Sequence, residues 1–291
     1  MALAAAPLDM LRAEALGARL PPLVVRAERV AATVMQGVHG RRRSGQGDAF
    51  WQFRPFLQGD SAARVDWRQS AKGERLFVRE TEWEAAQTVL VWRDASPSMT
   101  AEKRERVELL LLALSALLLR GGERVRLFGD ATAPRRSFAG RTGLPALAQA
   151  LALAGGTQGL PQPDAALPRH GRCVLFSDFY TPVEEVRRAM AALAGLPLRG
   201  HLVQVVTPGE EEPTLRGRVL VQGLEGEAPV LVANAEPVFG AGKPFRHWFA
   251  EHRTGLADAA RSAGWGFLAH RTDRPPEAAL LALYQALEAG R

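Results

Sequence analysis

Residues Val89–Thr100 read Val-Leu-Val-Trp-Arg-Asp-Ala-Ser-Pro-Ser-Met-Thr, and the fold prediction rests on them. Apolar, strand-forming residues lead to Asp94, and two hydroxyl side chains follow at alternate positions, Ser96 and Ser98. A long apolar segment with helical patterning comes next. This order predicts a buried parallel strand that feeds a crossover helix. In such sheets ligands bind beyond the carboxyl ends of the strands, where we expect these three side chains.

The pattern Asp-x-Ser-x-Ser offers only oxygen ligands, which suit a hard cation such as Mg²⁺ and suit zinc or copper poorly. A capping turn is the alternative explanation, because Ser or Asp at this point would also cap the next helix. Two later residues favour a site: Thr157 follows two glycines in a predicted turn, and Asp178 ends a second apolar strand over residues 172–177. The candidate ligands are therefore Asp94, Ser96, Ser98, Thr157 and Asp178.

The rest of the chain alternates between predicted strands and helices, which indicates a doubly wound, mostly parallel α/β sheet. Residues 207–242 interrupt the alternation with two short apolar runs, Arg218–Val221 and Pro229–Val232, which predict a small antiparallel hairpin insertion. Before the site strand lie helical patterning and two further strands. We therefore predict an N-terminal helical and strand appendage over residues 1–86, followed by the α/β domain over residues 87–291.

Composition narrows the function classes. The chain has 291 residues, a formal net charge of +6 and one cysteine, so an intramolecular disulfide is excluded and a reducing, cytoplasmic setting is expected. The most apolar segment, residues 109–119, has about half of the ~20 residues that a membrane span needs. The basic cluster Arg41–Arg43 has no nucleic-acid-binding motif beside it. We expect no membrane span and no nucleic-acid partner.

Familiar catalytic motifs are incomplete. Residues 240–243 read Gly-Ala-Gly-Lys, but a phosphate-binding loop would need glycine at position 237 and Ser or Thr at 244, and both are proline. Ser98 lies between Pro97 and Met99, so the Gly-x-Ser-x-Gly turn of serine hydrolases is missing. The sequence therefore predicts a protein that is not an enzyme.

The order and spacing of the five candidate ligands resemble the metal-ion-dependent adhesion site of von Willebrand factor A domains. The resemblance implies a von Willebrand A-like fold and one bound Mg²⁺ or Mn²⁺. It also implies that hydroxyls and water fill most of the cation's shell, and that an acidic residue of a partner protein completes it. Arg93 directly precedes Asp94 but alternates to the other face of the strand, so we expect its side chain to pair elsewhere.

A second resemblance lies in the segment before the site strand. Its landmarks resemble the signature of a bacterial family catalogued as domain of unknown function fifty-eight: Arg54-x₄-Gly59-Asp60, Arg64-Val65-Asp66-Trp67, Ser70-Ala71-Lys72 and Leu76-Phe77-Val78-Arg79-Glu80. The resemblance covers roughly residues 37–291. It implies association with MoxR-type AAA+ ATPases. We interpret residues 54–80 as a structural brace in which Trp67 fills a gap between the sheet and the preceding loop. Its salt-bridging members would be Arg54, Asp60, Arg64, Asp66 and Arg79.

The combined expectation is a cytoplasmic, metal-dependent protein-interaction module that works beside a MoxR-type ATPase, or its client, in protein maturation or complex assembly. Two other classes stay open. One is a metal-dependent hydrolase of phosphorylated substrates, for which Asp178 is the obvious general base. The other is a structural domain with a vestigial site, whose Ser and Thr side chains cap helices.

Overall fold

The structure is a computed structural model. It describes residues 22–35, 50–57, 65–73, 75–81, 87–129, 136–155, 159–163, 167, 171–196, 198–224, 228–239 and 244–289. The chain divides into two compact units, residues 1–37 together with 87–291, and residues 38–86. The predicted division ran after residue 86 and assigned everything before it to an appendage. Helix α1 (22–35) groups instead with the larger unit, where Arg26 pairs with Glu105 at 2.5 Å.

The smaller unit is built on an antiparallel pair of strands, β1 (Phe50–Pro55) and β2 (Phe77–Thr81). A single helical turn, α2 (Trp67–Ser70), precedes β2 along the chain. The Ser70 hydroxyl donates to the Asp66 carbonyl at 2.7 Å and accepts the Phe77 amide at 2.9 Å, so one side chain ties α2 to β2.

The described part of the larger unit contains a sheet of five parallel strands. They are β3 (Thr88–Arg93), β4 (Arg124–Leu127), β5 (Gly171–Ser177), β6 (Leu198–Val206) and β9 (Gly266–Arg271), in the sheet order β4-β3-β5-β6-β9. The chain steps from β3 to β4 on one side and then crosses to β5 on the other. The strand order therefore reverses between β3 and β5. In open parallel sheets ligands bind in a crevice at such a reversal, and we call the carboxyl edge of β3 and β5 the crevice.

Helices flank the sheet. They are α3 (Ala101–Arg120), α4 (Gly143–Leu153), α5 (Val183–Ala194), α8 (Pro244–Ser262) and α9 (Pro276–Ala289). α3 packs against α4 and α9, whereas α5 packs against α8. α3 is buried from Leu109 to Leu119 because it is apolar on nearly all sides there. None of the described helices combines the length and the apolar character that crossing a bilayer requires. The predicted α/β class with a mostly parallel sheet is confirmed.

The predicted hairpin insertion is also present. β7 (Val219–Val221) and β8 (Val230–Val232) pair antiparallel, with Leu220 opposite Leu231. Two one-turn helices bracket the hairpin, α6 (Pro208–Glu211) and α7 (Glu236–Phe239). α6 directly follows β6 and therefore lies at the carboxyl edge of the sheet.

Candidate functional site

The ends of β3 and β5 lie side by side at the carboxyl edge of the sheet. The Asp94 amide donates to the Phe176 carbonyl at 2.9 Å, which extends the β3–β5 pairing to the last residues of both strands. Asp94 and Asp178 therefore follow neighbouring strands at the point where the strand order reverses. This is the place that the sequence predicted for the candidate ligands.

Asp94 is held by neutral donors. Its Oδ1 accepts the Ser96 amide at 2.8 Å, and its Oδ2 accepts the Ser177 hydroxyl at 2.6 Å. Burial raises the pKa of Asp94 above its ordinary value; the bonds from Ser177 and Ser96 oppose the rise, and the Asp178 charge adds to it. The ion pairs among the described residues do not include Asp94. Its charge is thus buried without a compensating cation in this part of the chain.

The side chains beside Asp94 fit a small hard cation. Ser96 and Ser98 are both buried, and their hydroxyl oxygens lie 3.0 Å apart. Neighbouring ligands in an octahedral Mg²⁺ shell are also about 3 Å apart, given Mg–O distances of about 2.0–2.1 Å. No three His, Cys, Asp or Glu side chains cluster within the described ranges, so a cation here depends on hydroxyl oxygens as well as carboxylates.

Asp178 has a different environment, because a lysine is buried against it. Lys103 Nζ lies 2.7 Å from Asp178 Oδ2 and 2.5 Å from Glu210 Oε1, and it lies 5.0 Å from the centre of the Tyr180 ring. The Lys103 side chain is fully buried. Asp178 Oδ1 accepts the Tyr180 amide at 3.2 Å. Burial, together with the charges of Glu210 and Asp178, raises the pKa of Tyr180, so this hydroxyl stays protonated.

The turn after Asp178 is strained and tightly held. Phe179 has φ of +52°, a left-handed conformation that is unfavourable for a bulky side chain. Its amide donates to the Ser177 hydroxyl at 2.8 Å, and its carbonyl lies 2.7 Å from His252 Nε2. These contacts fix the backbone that presents Asp178.

Further polar contacts connect Asp178 to α6 and form a closed ring of interactions. Gln204 Nε2 donates to the Asp178 carbonyl at 3.1 Å, and Gln204 Oε1 accepts from Arg253 at 3.2 Å. Arg253 also pairs with Glu211 at 2.6 Å. Because Glu210 and Glu211 both lie in α6, the ring returns through Glu210 and Lys103 to the Asp178 carboxylate. α6 is thereby attached to the strand end at two points.

Arg93 lies on the opposite face from Asp94, as strand alternation predicts. Its guanidinium pairs with Glu108 and donates to the Leu151 and Ala154 carbonyls at 2.8 and 3.0 Å. These carbonyls belong to the C-terminal end of α4, where a cation is favourable. Arg93 therefore joins β3 to α3 and α4 and takes no direct part in the crevice.

Four of the five predicted ligands lie at the carboxyl edge of β3 and β5, and the fifth, Thr157, lies outside the described residues. Sequence reasoning missed the side chains around the two aspartates. Ser177 and Lys103 contact the carboxylates of Asp94 and Asp178, Gln204 donates to the Asp178 carbonyl, and Glu210 contacts Lys103. Two of them carried a signal. Lys103 falls on the buried stripe of α3 that continues through Val107 and Leu111, and Thr207-x-x-Glu210 is a capping box, in which the Thr207 amide donates to Glu210 at 2.7 Å.

The predicted brace over residues 54–80 differs from the structure where it can be compared. Trp67 does not fill a gap, because its side chain is 65% exposed at the start of α2. Asp66 caps α2 by accepting the Gln69 amide at 2.8 Å. The other members of the predicted brace lie outside the described side chains: Arg54, Asp60, Arg64 and Arg79.

These features define a class of α/β protein with a crevice of hydroxyl and carboxylate side chains at the reversal of a parallel sheet. Residues 52–241 match the family described as Protein of unknown function DUF58, and the chain belongs to that family. This confirms the resemblance drawn from the residue 54–80 landmarks. No curated protein and no solved structure matches the chain.

Proposed function

We propose that this chain is a metal-dependent protein-interaction module. Asp94, Ser96 and Ser98 hold one Mg²⁺ or Mn²⁺, Asp178 and Thr157 contribute to the same site, and a carboxylate from a partner protein completes the cation's shell. The observation that carries the proposal is the buried Asp94 carboxylate, whose described partners are neutral and which lies beside two hydroxyls 3.0 Å apart. A divalent cation would supply the missing charge.

The chemistry of the ligands explains why the partner should be acidic. Two hydroxyls add no charge, and one or two carboxylates cannot fill the roughly six oxygen positions of Mg²⁺. An incompletely neutralised cation attracts an anionic ligand to an open position. The formal net charge of +6 adds a longer-range attraction for acidic surfaces, which salt weakens.

The crevice supports binding better than catalysis. A general base must be free to accept a proton from the attacking group. Asp178 is the obvious candidate, but its Oδ2 is 2.7 Å from the Lys103 ammonium and its Oδ1 already accepts the Tyr180 amide. Turnover of a chromogenic phosphate ester by the Mg²⁺-loaded protein, lost in Asp94→Asn, would favour the hydrolase instead.

The resemblance to the family suggests the kind of partner. A MoxR-type AAA+ ATPase, or a protein that such an ATPase matures or assembles, would offer the acidic residue. The setting that we propose is cytoplasmic. The module would then bind its partner only when a cation occupies the site.

Calorimetric titration of Mg²⁺ and Mn²⁺ into the purified chain tests the metal. We expect one site, and at ~100 times its Kd the ion should raise the free energy of unfolding by roughly 2.7 kcal/mol. Asp94→Asn, which keeps the shape and removes the charge, should abolish both effects. Asp258→Asn removes an exposed carboxylate on α8 and should leave them unchanged. Identical isotherms for the wild type and Asp94→Asn would contradict the proposal.

The partner step needs a variant rather than a chelator, because a AAA+ ATPase itself uses Mg²⁺ to hold its nucleotide. Binding of the purified ATPase to immobilised wild-type chain should be lost in Asp94→Asn and retained in Asp258→Asn. If the ATPase bound both variants with equal affinity, the metal would have no role in association. That result would point to the unit of residues 38–86 as the docking surface.

A further inference from the structure

Lys103 is the one ammonium within the described part of the crevice, and it cannot leave without breaking three contacts. Its Nζ bonds Asp178 Oδ2 and Glu210 Oε1 at 2.7 and 2.5 Å and lies over the Tyr180 ring. A buried ammonium is tolerated only when it is paired in this way. Glu210, whose side chain is 26% exposed, is in turn anchored by the capping box of α6. The positive charge is therefore a fixed part of the site.

That fixed charge limits what Asp178 can do for a divalent ion. A cation bound directly to Asp178 Oδ2 would lie close to the ammonium on the same oxygen, and the two positive charges would repel. The second oxygen already accepts the Tyr180 amide. Contact through an intervening water keeps the cation farther from Lys103 and leaves both bonds intact. Asp178 is thus restricted to an outer role.

The restriction leaves one carboxylate, Asp94, and two hydroxyls, Ser96 and Ser98, as direct ligands among the described residues. Mg²⁺ commonly keeps several waters and binds through one or two carboxylates. Ca²⁺ takes six to eight oxygens and favours additional, often bidentate, carboxylates. A site with a single free carboxylate therefore suits the smaller, more strongly hydrated ion.

We propose that Lys103 determines the ion selectivity of the crevice by occupying Asp178, so that the site accepts Mg²⁺ or Mn²⁺ and discriminates against Ca²⁺. This inference rests on the proposed function. Removing the ammonium frees a second carboxylate and takes away a repulsive charge. Affinity for every divalent ion should then rise, and affinity for Ca²⁺ should rise most.

The experiment titrates MgCl₂, MnCl₂ and CaCl₂ separately into the wild type, Lys103→Met and Lys72→Met, with calorimetry as the readout. Lys72 is exposed and follows α2 in the smaller unit, so its replacement controls for the loss of one lysine charge. In the wild type, the Kd for Ca²⁺ should be about tenfold or more above that for Mg²⁺. In Lys103→Met the ratio should fall by about tenfold, and Lys72→Met should match the wild type.

Each outcome separates this inference from the proposed function. Mg²⁺ binding by the wild type with an unchanged Ca²⁺-to-Mg²⁺ ratio in folded Lys103→Met overturns the role of Lys103 and leaves the metal site standing. If Lys103→Met binds an ion and the wild type does not, the Lys103 ammonium does oppose cation binding, but the proposal that the wild-type chain binds a metal is contradicted. No binding by either overturns both. If Lys103→Met does not fold, Lys103→Gln, whose amide can still donate to Asp178 and Glu210, is judged by the same ratio.

Discussion

Asp94 and Asp178 follow two neighbouring strands, but their carboxylates have contrasting electrostatic surroundings. Asp94 follows β3 and accepts hydrogen bonds from the Ser96 amide and the Ser177 hydroxyl, which are neutral. Asp178 follows β5 and holds the buried ammonium of Lys103 at 2.7 Å. Both carboxylates are buried, so exposure does not distinguish them. The difference is that a described residue supplies a counter-charge to Asp178, whereas the described partners of Asp94 are neutral.

The two carboxylates at this sheet edge differ in what they contribute to the protein. The Asp178 carboxylate is paired with the Lys103 ammonium and forms part of a ring of polar contacts that fixes α6 against the strand end. Among the described residues, the Asp94 carboxylate has no ion-pair partner. A buried carboxylate of this kind is costly in the isolated protein and would be useful to the cation site that we propose. Under the proposed function, stability and cation binding would depend on different carboxylates of one sheet edge.

The prediction with the largest expected effect compares two substitutions, Asp178→Asn and Asp94→Asn. The free energy of unfolding of each variant is measured by denaturant unfolding at pH 7 with a chelator present. Asp178→Asn should lower the free energy of unfolding by about 3 kcal/mol, because removing one member of a buried ion pair leaves the other charge poorly compensated. Glu210 still bonds Lys103, which places the expected cost at the low end of the range. Asp94→Asn should leave stability unchanged or raise it, because it removes a buried charge.

The comparison fails if the two variants lose the same amount of stability, or if Asp94→Asn is the more damaging. Lys103→Met combined with Asp178→Asn provides the check on cause. If the ion pair is responsible, the double variant should lose less than the two single variants added together, since the two residues share one interaction. Additive losses would mean that Asp178 acts mainly through its backbone turn.

The next largest expected effect comes from His270, near the end of a third strand, β9. The pH dependence that it contributes has to be separated from the pH dependence that Asp94 contributes. Burial, together with the neighbouring Arg106, lowers the pKa of His270 to about 4. Arg106 Nη1 lies 3.0 Å from His270 Nε2, which must be unprotonated to accept this bond. Between about pH 4 and 6.5, the ordinary pKa of histidine, the unfolded chain binds the extra proton, so stability falls as the pH falls through this window.

Replacement by His270→Gln should remove that acid sensitivity, which we expect to be on the order of 2 kcal/mol after allowing for partial solvent screening. Thermal unfolding between pH 4 and 7 is the measurement. His247→Gln changes an exposed histidine on α8 and should follow the wild-type curve. Parallel curves for His270→Gln and the wild type would show that His270 does not titrate in this way.

The sequence was sufficient for the parts of this edge that depend on local pattern. Alternating apolar strands and helices predicted a parallel sheet, and the carboxyl ends of two predicted strands placed Asp94 and Asp178 together. Strand alternation also placed Arg93 on the other face, where it caps the end of α4. Each inference used residues close together in the chain and a rule that holds for any parallel sheet.

What the sequence could not supply is the partner of each charge. Lys103 lies on a buried helical stripe, which marks it as unusual, but its two acids come from positions 178 and 210. No local pattern connects residues that far apart. Trp67 shows the opposite error: an aromatic residue between charged ones suggested a filled gap, yet its side chain is mostly exposed. Long-range contacts decide both cases.

The smallest expected effect is the pH dependence that Asp94 itself contributes, and it is the most direct measure of the uncompensated charge. Burial raises the pKa of Asp94 above its ordinary value of 3.8, so in the metal-free protein the folded state holds this proton more tightly than the unfolded chain does. Stability should therefore fall as the pH rises from about 3.8 through the raised pKa, opposite in sign to the His270 effect.

The measurement uses the His270→Gln background, with and without Asp94→Asn, in chelator. The difference in unfolding free energy between the two proteins should grow with pH over this window and then level off, in favour of Asp94→Asn. Saturating Mg²⁺ should reverse the difference, because a bound cation stabilises the ionised carboxylate. A difference that is independent of pH in chelator would show that the Asp94 charge is compensated after all, and the contrast between the two strand ends would disappear.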